Sequence, residues 1–324
     1  MSQIARASFS FPPELEKAAS KAGLPFSIIR SREEWLAHPQ GKLLDSLPIA
    51  PIEKIGDAPP KPFPSNGTRP LEGIKVLLFA KAIAGPSCGR TLAEHGADVL
   101  IIVSDHGVEH EWIHNSAYLG CRSAFLNFSK PKDMETMWKL VEETDVFVEA
   151  TPSQQNKRLG SLSKFGLNNE AIVARNPNIV IANIKCYGTT GPLASDPGFD
   201  MQGSAVTGLM AMSGKGPLEP AWPRAGMMND YFTGYSAALA IQSALIRRTT
   251  EGGAWGISAS LCASAMSYEK FFGFVDAEER AKYKWGSDEL DKEHKFVEPR
   301  DERDACQVGA DGFGSPRLEP AALS

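Results

Sequence analysis

The residues best suited to chemistry fall in a few places. Asp230 opens a long, mostly apolar stretch, Met227–Arg248 (MMNDYFTGYSAALAIQSALIRR). A carboxylate there has two readings. It steadies a helix N-terminus through the dipole and the free N–H groups, or it is a carboxylate held at the mouth of a buried site. His110-Glu111-Trp112-Ile113-His114 matches HExxH, whose helical spacing puts two imidazoles on one zinc ion and the glutamate beside its water. His106 lies one turn back, but Gly107 interrupts the helix and only three positions define the motif. Solvated histidines on a loop or surface helix are the simpler reading. Lys185 closes an apolar strand beside a Gly/Pro-rich loop, where it meets an anionic ligand or is a surface lysine. Asp200 follows Gly198-Phe199 and opens a helix, which capping alone explains. Cys88 lies near a helix start, where a thiol pKa can fall; no histidine is tied to it by local pattern, and GxSxG is absent.

These residues need elements to hold them. Tyr231, Tyr235, Ala238, Ile241 and Leu245 recur at three- and four-residue steps, which predicts one long helix with Asp230 near its start. Upstream, Ile74–Phe79, Asp98–Val103, Asp145–Glu149 and Asn178–Ile184 are short apolar runs of strand type. Helical patterns separate them: Pro86–Glu94 ended by Gly96, residues 131–143 with Met134, Met137, Trp138 and Val141 on one face, and residues 168–175. Unalternating strands divided by helices predict an α/β fold, a Rossmann-like open, mainly parallel sheet with helices on both faces. Tyr187–Asp200 (YGTTGPLASDPGFD) leaves the fourth strand at its carboxyl end, where ligands of such sheets bind. Met201–Met212 predicts a helix and Ala254–Leu261 a strand.

Ahead of these, residues 11–22 predict a short helix and Pro25–Arg30 a strand. Ser31 and Glu34 form a capping box for a helix over Arg32–Gln40. Asp57–Pro70 (DAPPKPFPSNGTRP) is a proline-rich linker. The expected division is a leading segment 1–56, a linker 57–70, a large domain 71–275 and a charged, weakly ordered tail 276–324.

The 324 residues, 42% hydrophobic, suffice for one large α/β domain with appendages or for two domains. A net charge of −5 without a dense Lys/Arg stripe argues against nucleic acid. No apolar run approaches the roughly 18 residues of a membrane helix, and the start, MSQIARASFSFPPEL, lacks the apolar core of a secretory signal. Five cysteines, an odd number without a CxxC spacing, suit reduced thiols and a cytoplasmic location. The first strand is followed by Ala82–Pro86 rather than GxGxxG, which argues against NAD, and no GxxxxGK[ST] loop occurs.

Several motifs then recur in a fixed order. Leu71–Val99 (LEGIKVLLFAKAIAGPSCGRTLAEHGADV) comes first, then Cys121-Arg122-Ser123 with Leu126-Asn127, Asp145–Glu149 and Asn176-Pro177. Tyr187-Gly188 with Gly191-Pro192, Pro197–Asp200, Asn229-Asp230 through Ala237-Ala238, and Thr250–Gly253 complete the set. Together these resemble the family III CoA-transferases, the group of formyl-CoA and carnitine CoA-transferases and the α-methylacyl-CoA racemases. The resemblance covers Leu71 to about Tyr268.

The resemblance implies that Asp230 is catalytic. In the transferases that carboxylate attacks an acyl-CoA thioester, giving a mixed anhydride and then an aspartyl-CoA thioester, from which an acceptor carboxylate takes the CoA. Backbone N–H groups at the helix start are expected to steady the developing charge. Acyl-CoA and a carboxylic acid are then the partners, and coenzyme A is a substrate with no permanently bound cofactor. Ala84, Gly85, Pro86 and Arg122 are the CoA-binding candidates, together with Lys185. Racemisation needs a histidine where this chain has Phe199, which carries no proton. Ile101–Val103 and Glu149–Ser153 depart from the family's polar strand end and Glu-Asn-Phe-x-Pro-Gly loop. The family's second, smaller domain, through which members form interlocked homodimers, is expected after residue 270, and the charged stretch there does not resemble it. Ala22–Leu44 instead resembles the family's closing segment, which suggests a tandem-repeat ancestry in which this segment packs on the sheet that follows Leu71.

Overall fold

The computed structural model describes residues 12–64, 67–103, 111–151, 162–223 and 226–273. The chain divides into two compact units, Met1–Ser267 and Tyr268–Ser324. In chain order the elements are α1 (Pro12–Lys21), α2 (Arg32–Ala37), α3 (Pro39–Asp45), β1 (Ile52–Gly56), β2 (Lys75–Ala80), α4 (Ala84–Glu94) and β3 (Asp98–Val103). Then come α5 (Glu111–Ala117), β4 (Arg122–Phe125), α6 (Pro131–Glu143), β5 (Val146–Ala150), a 3-10 turn (Leu162–Phe165), α7 (Asn169–Arg175) and β6 (Val180–Lys185). The last are α8 (Asp200–Val206), α9 (Leu209–Ser213), α10 (Met228–Glu251), β7 (Ala254–Ser260) and α11 (Leu261–Phe272).

Seven strands form one sheet in the order β1-β7-β6-β5-β2-β3-β4. All neighbours are parallel except β1, which runs antiparallel to β7. The parallel strands therefore follow the dinucleotide-fold order, with its reversal between β2 and β5. Two cores form because each strand alternates its side chains across the sheet. Val76, Leu78, Val146, Val148, Val180 and Ala182 face α4 and α10. Leu77, Phe147 and Ile181 join Met137 and Val141 of α6 and Ile172 of α7 on the other face.

The helix over Met228–Glu251 forms as the spacing predicts, and its buried face is built of Ala237, Ala238, Ile241, Ala244 and Leu245. Small side chains let it lie close on α4 and the sheet. At Gly234 the approach leaves no room: a Cβ there would lie 2.6 Å from the Ala84 carbonyl oxygen, 2.9 Å from Ser87 Cβ and 3.1 Å from Cys88 N. At the far end of α10 the buried Arg248 donates to Asp145 Oδ1 (3.0 Å) and the Asn178 carbonyl (3.1 Å). Lys61 from the proline-rich stretch joins the same carboxylate at 2.8 Å. Burial alone would raise the Asp145 carboxyl; the Lys61 and Lys75 hydrogen bonds and the Arg248 charge outweigh it and hold the group below its ordinary range.

Several elements depart from the expectations. Pro25–Arg30 is not a strand, since its backbone finds other partners: Arg30 N–H bonds the Ala205 carbonyl and Ile28 N–H the Glu16 carboxylate. The expected helix over Arg32–Gln40 breaks at His38, because Pro39 has no N–H to continue the ladder. The Met201–Met212 helix breaks at Gly208, whose φ of +93 is left-handed. The short strands β1 and β4 and the helix α11 carry too little periodicity to have been anticipated. The histidines His106 and His110, the tail 276–324 and Cys306 lie outside the described residues.

The segment ahead of the linker is part of the first unit. Trp35 is fully buried and its Nε1–H lies 3.1 Å from Met266 Sδ. Gln40, also fully buried, donates to the Tyr187 and Thr190 carbonyls (2.7 and 2.9 Å) and accepts from Leu193 N–H (3.0 Å). Ser27 shares a 2.6 Å hydrogen bond with the Tyr187 hydroxyl.

The seam at Gly234 gives a direct test. Helix propensity alone makes Gly234→Val stabilising by a few tenths of a kcal/mol. The collision with α4 reverses the sign, and the expected result is a loss of roughly 2 kcal/mol in urea unfolding.

Candidate functional site

The parallel strands set where the site lies. α4 follows β2, α10 precedes β7 and α11 follows it, so the N-termini of all three helices stand at the carboxyl edge of the sheet. The loop after β6 reaches the same edge and ends in α8. Helix N-termini gathered at that edge give it a positive field without any lysine.

Asp230 is in the first turn of α10, three residues after Met227. Met227 has a left-handed φ of +59 and caps nothing with its side chain. Asp230 does not cap either. The acceptor comes from another helix: Asp230 N–H donates to Asp200 Oδ2 at 3.1 Å, and the Asn229 N–H also bonds the Asp200 carboxylate. Asn229 Nδ2 donates to Ser204 Oγ (2.8 Å) and to Asp200 Oδ1 (3.2 Å). Thr233 below it is bonded to the Asn229 carbonyl and to Ser264, both at 2.6 Å. The start of α10 is thus fixed to α8 and α11 by buried polar groups.

The expectation that N–H groups at this helix start steady a developing charge needs correction, because Asp200 already takes them. What remains is a carboxylate, partly buried, for which no side chain or N–H among the described residues supplies a hydrogen bond. Burial, and secondarily the Asp200 charge, push the Asp230 carboxyl up to about 7. Burial also raises Asp200, against its hydrogen bonds from Asp230, Ser204 and Asn229. Two thiols lie beside the pair. Cys186 is buried next to Cys262 and Asp230, and all three effects push it up, burial first.

The other candidates separate. Ala84, Gly85 and Pro86 form the buried first turn of α4 at the point where the strand order reverses. A Cβ on Gly85 would collide with Ala80 and lie 2.6 Å from Ala150, at the ends of β2 and β5. Lys185 ends β6 at the same edge, yet strand alternation turns it to the face opposite α10. It is no loose surface lysine: Nζ donates to the Thr151 carbonyl (2.8 Å) and lies 3.7 Å from Glu149 Oε1. Arg122 begins β4, at the amino edge, where its guanidinium grips Asp98 at 2.6 Å. The structure does not bring it to Asp230. Cys88 is fully buried on α4, and burial pushes its thiol far up rather than down. Glu111 opens α5, but His110 lies outside the described residues. Among the described residues no three His, Cys, Asp or Glu side chains are gathered as metal ligands.

The comparisons with known proteins bear on this geometry. Residues 71–274 match CoA-transferase family III. The chain belongs to this family. An acyl-CoA transferase of Gibberella moniliformis is 31% identical over 271 residues, 78% of this chain and 46% of that protein. The human succinyl-CoA:glutarate CoA-transferase is 30% identical over 214 residues, 62% of this chain and 47% of that protein. The crystal structure of a CaiB/BaiF family protein from Brucella suis superposes with a TM-score of 0.54 at 30% identity, over 67% of this chain and 58% of the other. The chain spans about half the length of the curated relatives it matches.

Within this family III chain, the sequence pointed to Asp230 and to the α4 turn. It missed Asn229, Ser204 and Gln40, and it assigned the Asp200 carboxylate to its own helix. Only the Asn229-Asp230 and Gly198–Asp200 motifs carried a signal, and neither names the partner of the other.

The raised Asp230 carboxyl has a sign that can be checked. Its ionised form costs stability above about pH 7 and the cost is relieved as pH falls toward 4, because the folded state then binds the proton the unfolded chain lacks. Asp230→Asn is expected to raise stability at pH 8 by roughly 1–4 kcal/mol. That gain should shrink steadily in thermal unfolding measured between pH 7 and 4.

Proposed function

We propose that this chain carries the nucleophile of CoA transfer between carboxylic acids, and that Asp230 is that nucleophile. One observation supports this most: a partly buried carboxylate at the carboxyl edge, without a hydrogen-bond donor and with proton affinity raised to near neutrality. A carboxylate of higher basicity is a better nucleophile, and burial strips it of the water that would compete.

The steps follow from the chemistry. Asp230 attacks the thioester carbonyl, the C–S bond breaks and CoA leaves as thiolate, giving a mixed anhydride. The thiolate then attacks the Asp230 carbonyl carbon and expels the donor acid as a carboxylate, leaving an aspartyl-CoA thioester. An acceptor carboxylate repeats the exchange in reverse and carries the CoA away. Ala84, Gly85 and Pro86, packed against the ends of β2 and β5 at the start of α4, are the proposed backing wall for the CoA arm. Nothing in this chemistry calls for a bound metal or a permanent cofactor; coenzyme A enters as substrate.

Phe199 lies beside Asp200 and exchanges no proton, so the reading favours transfer over racemisation. No helix among the described residues is long and apolar enough to cross a membrane. Cys88, Cys121, Cys186 and Cys262 are free thiols, in keeping with a reducing, cytoplasmic setting. Relatives named for succinyl-CoA with glutarate or malate make succinyl-CoA the donor to try first. A homodimer is proposed on the family resemblance alone.

The test is chemical trapping. Incubation with succinyl-CoA and hydroxylamine should leave a hydroxamate on Asp230, seen by peptide mass spectrometry. Asp230→Ala should abolish it and lower any transferase rate by at least roughly 10³-fold. Tight CoA binding with no trapped adduct would instead assign the chain a binding role.

A further inference from the structure

The start of α10 has an unusual source for its cap. A helix of 24 residues normally takes a side-chain acceptor from its own N-cap, but Met227 offers none. Asp200, in the next helix of the site and 7% exposed, supplies the acceptor instead. Its two oxygens are divided: Oδ2 takes the Asp230 N–H, and Oδ1 takes Asn229 Nδ2 and, at 3.3 Å, the Ser204 hydroxyl. Asn229 acts here through its donor end alone, since its buried Oδ1 has no partner among the described residues. Two carboxylates therefore meet at one helix start, and only one of them receives hydrogen bonds.

We propose that Asp200 is a positioning residue for the transfer reaction: it takes the N–H groups that open α10 and so leaves the Asp230 carboxylate uncapped, beside a like charge. Had Asp230 folded back onto those donors, it would be a stabilised carboxylate and a poor nucleophile. With the donors taken, its electron pairs remain for a thioester carbonyl. Attack also removes the repulsion, because the acylated Asp230 is neutral while Asp200 keeps its charge. The titratable groups facing Asp230 are Asp200 from α8 and the Cys186 thiol beyond β6, with Cys262 of α11 beside that thiol. Asp200 is the carboxylate among them, and its oxygens accept the hydrogen bonds at the helix start, so it is the group whose removal must be felt. This inference rests on Asp230 as the nucleophile.

The experiment separates the two. Asp200→Asn keeps an oxygen acceptor for the Asp230 N–H and deletes the charge. Carbon-13 NMR of the labelled aspartate carboxyls follows the Asp230 titration in the free protein, independent of any activity, with Asp230→Asn providing the assignment. The expected result is a fall in the Asp230 midpoint by about one pH unit in Asp200→Asn, with the lower limb of the hydroxylamine-trapping profile moving to the acid side by the same amount. An unmoved midpoint in a folded Asp200→Asn protein would overturn the inference. If that variant does not fold, the wild-type titration decides: the Asp230 signal must show two inflections as the pair loses its protons in sequence, and a single inflection at the ordinary aspartate value would overturn it. A shifted midpoint with no trapping in wild type would support the pairing of the carboxylates and refute the nucleophile reading alone.

Discussion

The close seam between α4 and α10 is the constraint from which the site follows. Both helices run in the same direction over one face of a parallel sheet, and at Gly234 their backbones come within contact of Ala84 and Cys88. Below the seam Leu78, Leu92, Ile241 and Leu245 are buried from water. That burial, at about 25 cal/mol per Å² of apolar surface, holds the pair down on the sheet. Because the contact lies one turn beyond Asp230, it fixes the depth of the carboxylate relative to the turn at Gly85. A wider spacing would lift the Asp230 carboxylate away from the sheet edge and return it to water.

Charge is handled in opposite ways at the two ends of α10. At the amino edge of the sheet, Asp145 meets Arg248 and Lys61 and stays ionised despite burial. At the carboxyl edge, Asp200 and Asp230 meet each other with no cation beside them among the described residues, and both are raised. The residue type is the same; neighbours decide the direction. A buried carboxylate met by cations ties elements together, whereas one met by another carboxylate is raised in proton affinity.

The segment ahead of the proline-rich stretch has a share in the site without touching its chemistry. Gln40 holds three backbone groups of the loop that leads to Asp200, and Arg30 binds the last turn of α8 through Ala205. β1 closes one edge of the sheet against β7. A loop rich in glycine and proline has little internal means of holding one conformation, so a buried amide from elsewhere supplies it. Gly191 allows that amide in: a Cβ there would collide with Gln40 Oε1.

Local chemistry in the sequence was enough for the class of fold, for five of the strands that carry it, for the long helix and for Asp230 as the residue to watch. Those features rest on short-range causes: apolar runs, three- and four-residue periods, a proline that starts a helix and a glycine that ends one. The two short strands at the sheet edges, the break at His38 and the packing of Gln40 depend on partners far away in the chain, and composition does not reveal them. The same holds for the site. Asp200 and Asp230 are each plausible caps when read alone, and nothing local says that one caps the other's helix. Only the tertiary structure, by bringing α8 against the start of α10, turned a pair of ordinary helix-opening aspartates into one that is hydrogen-bonded and one that is left without a donor among the described residues.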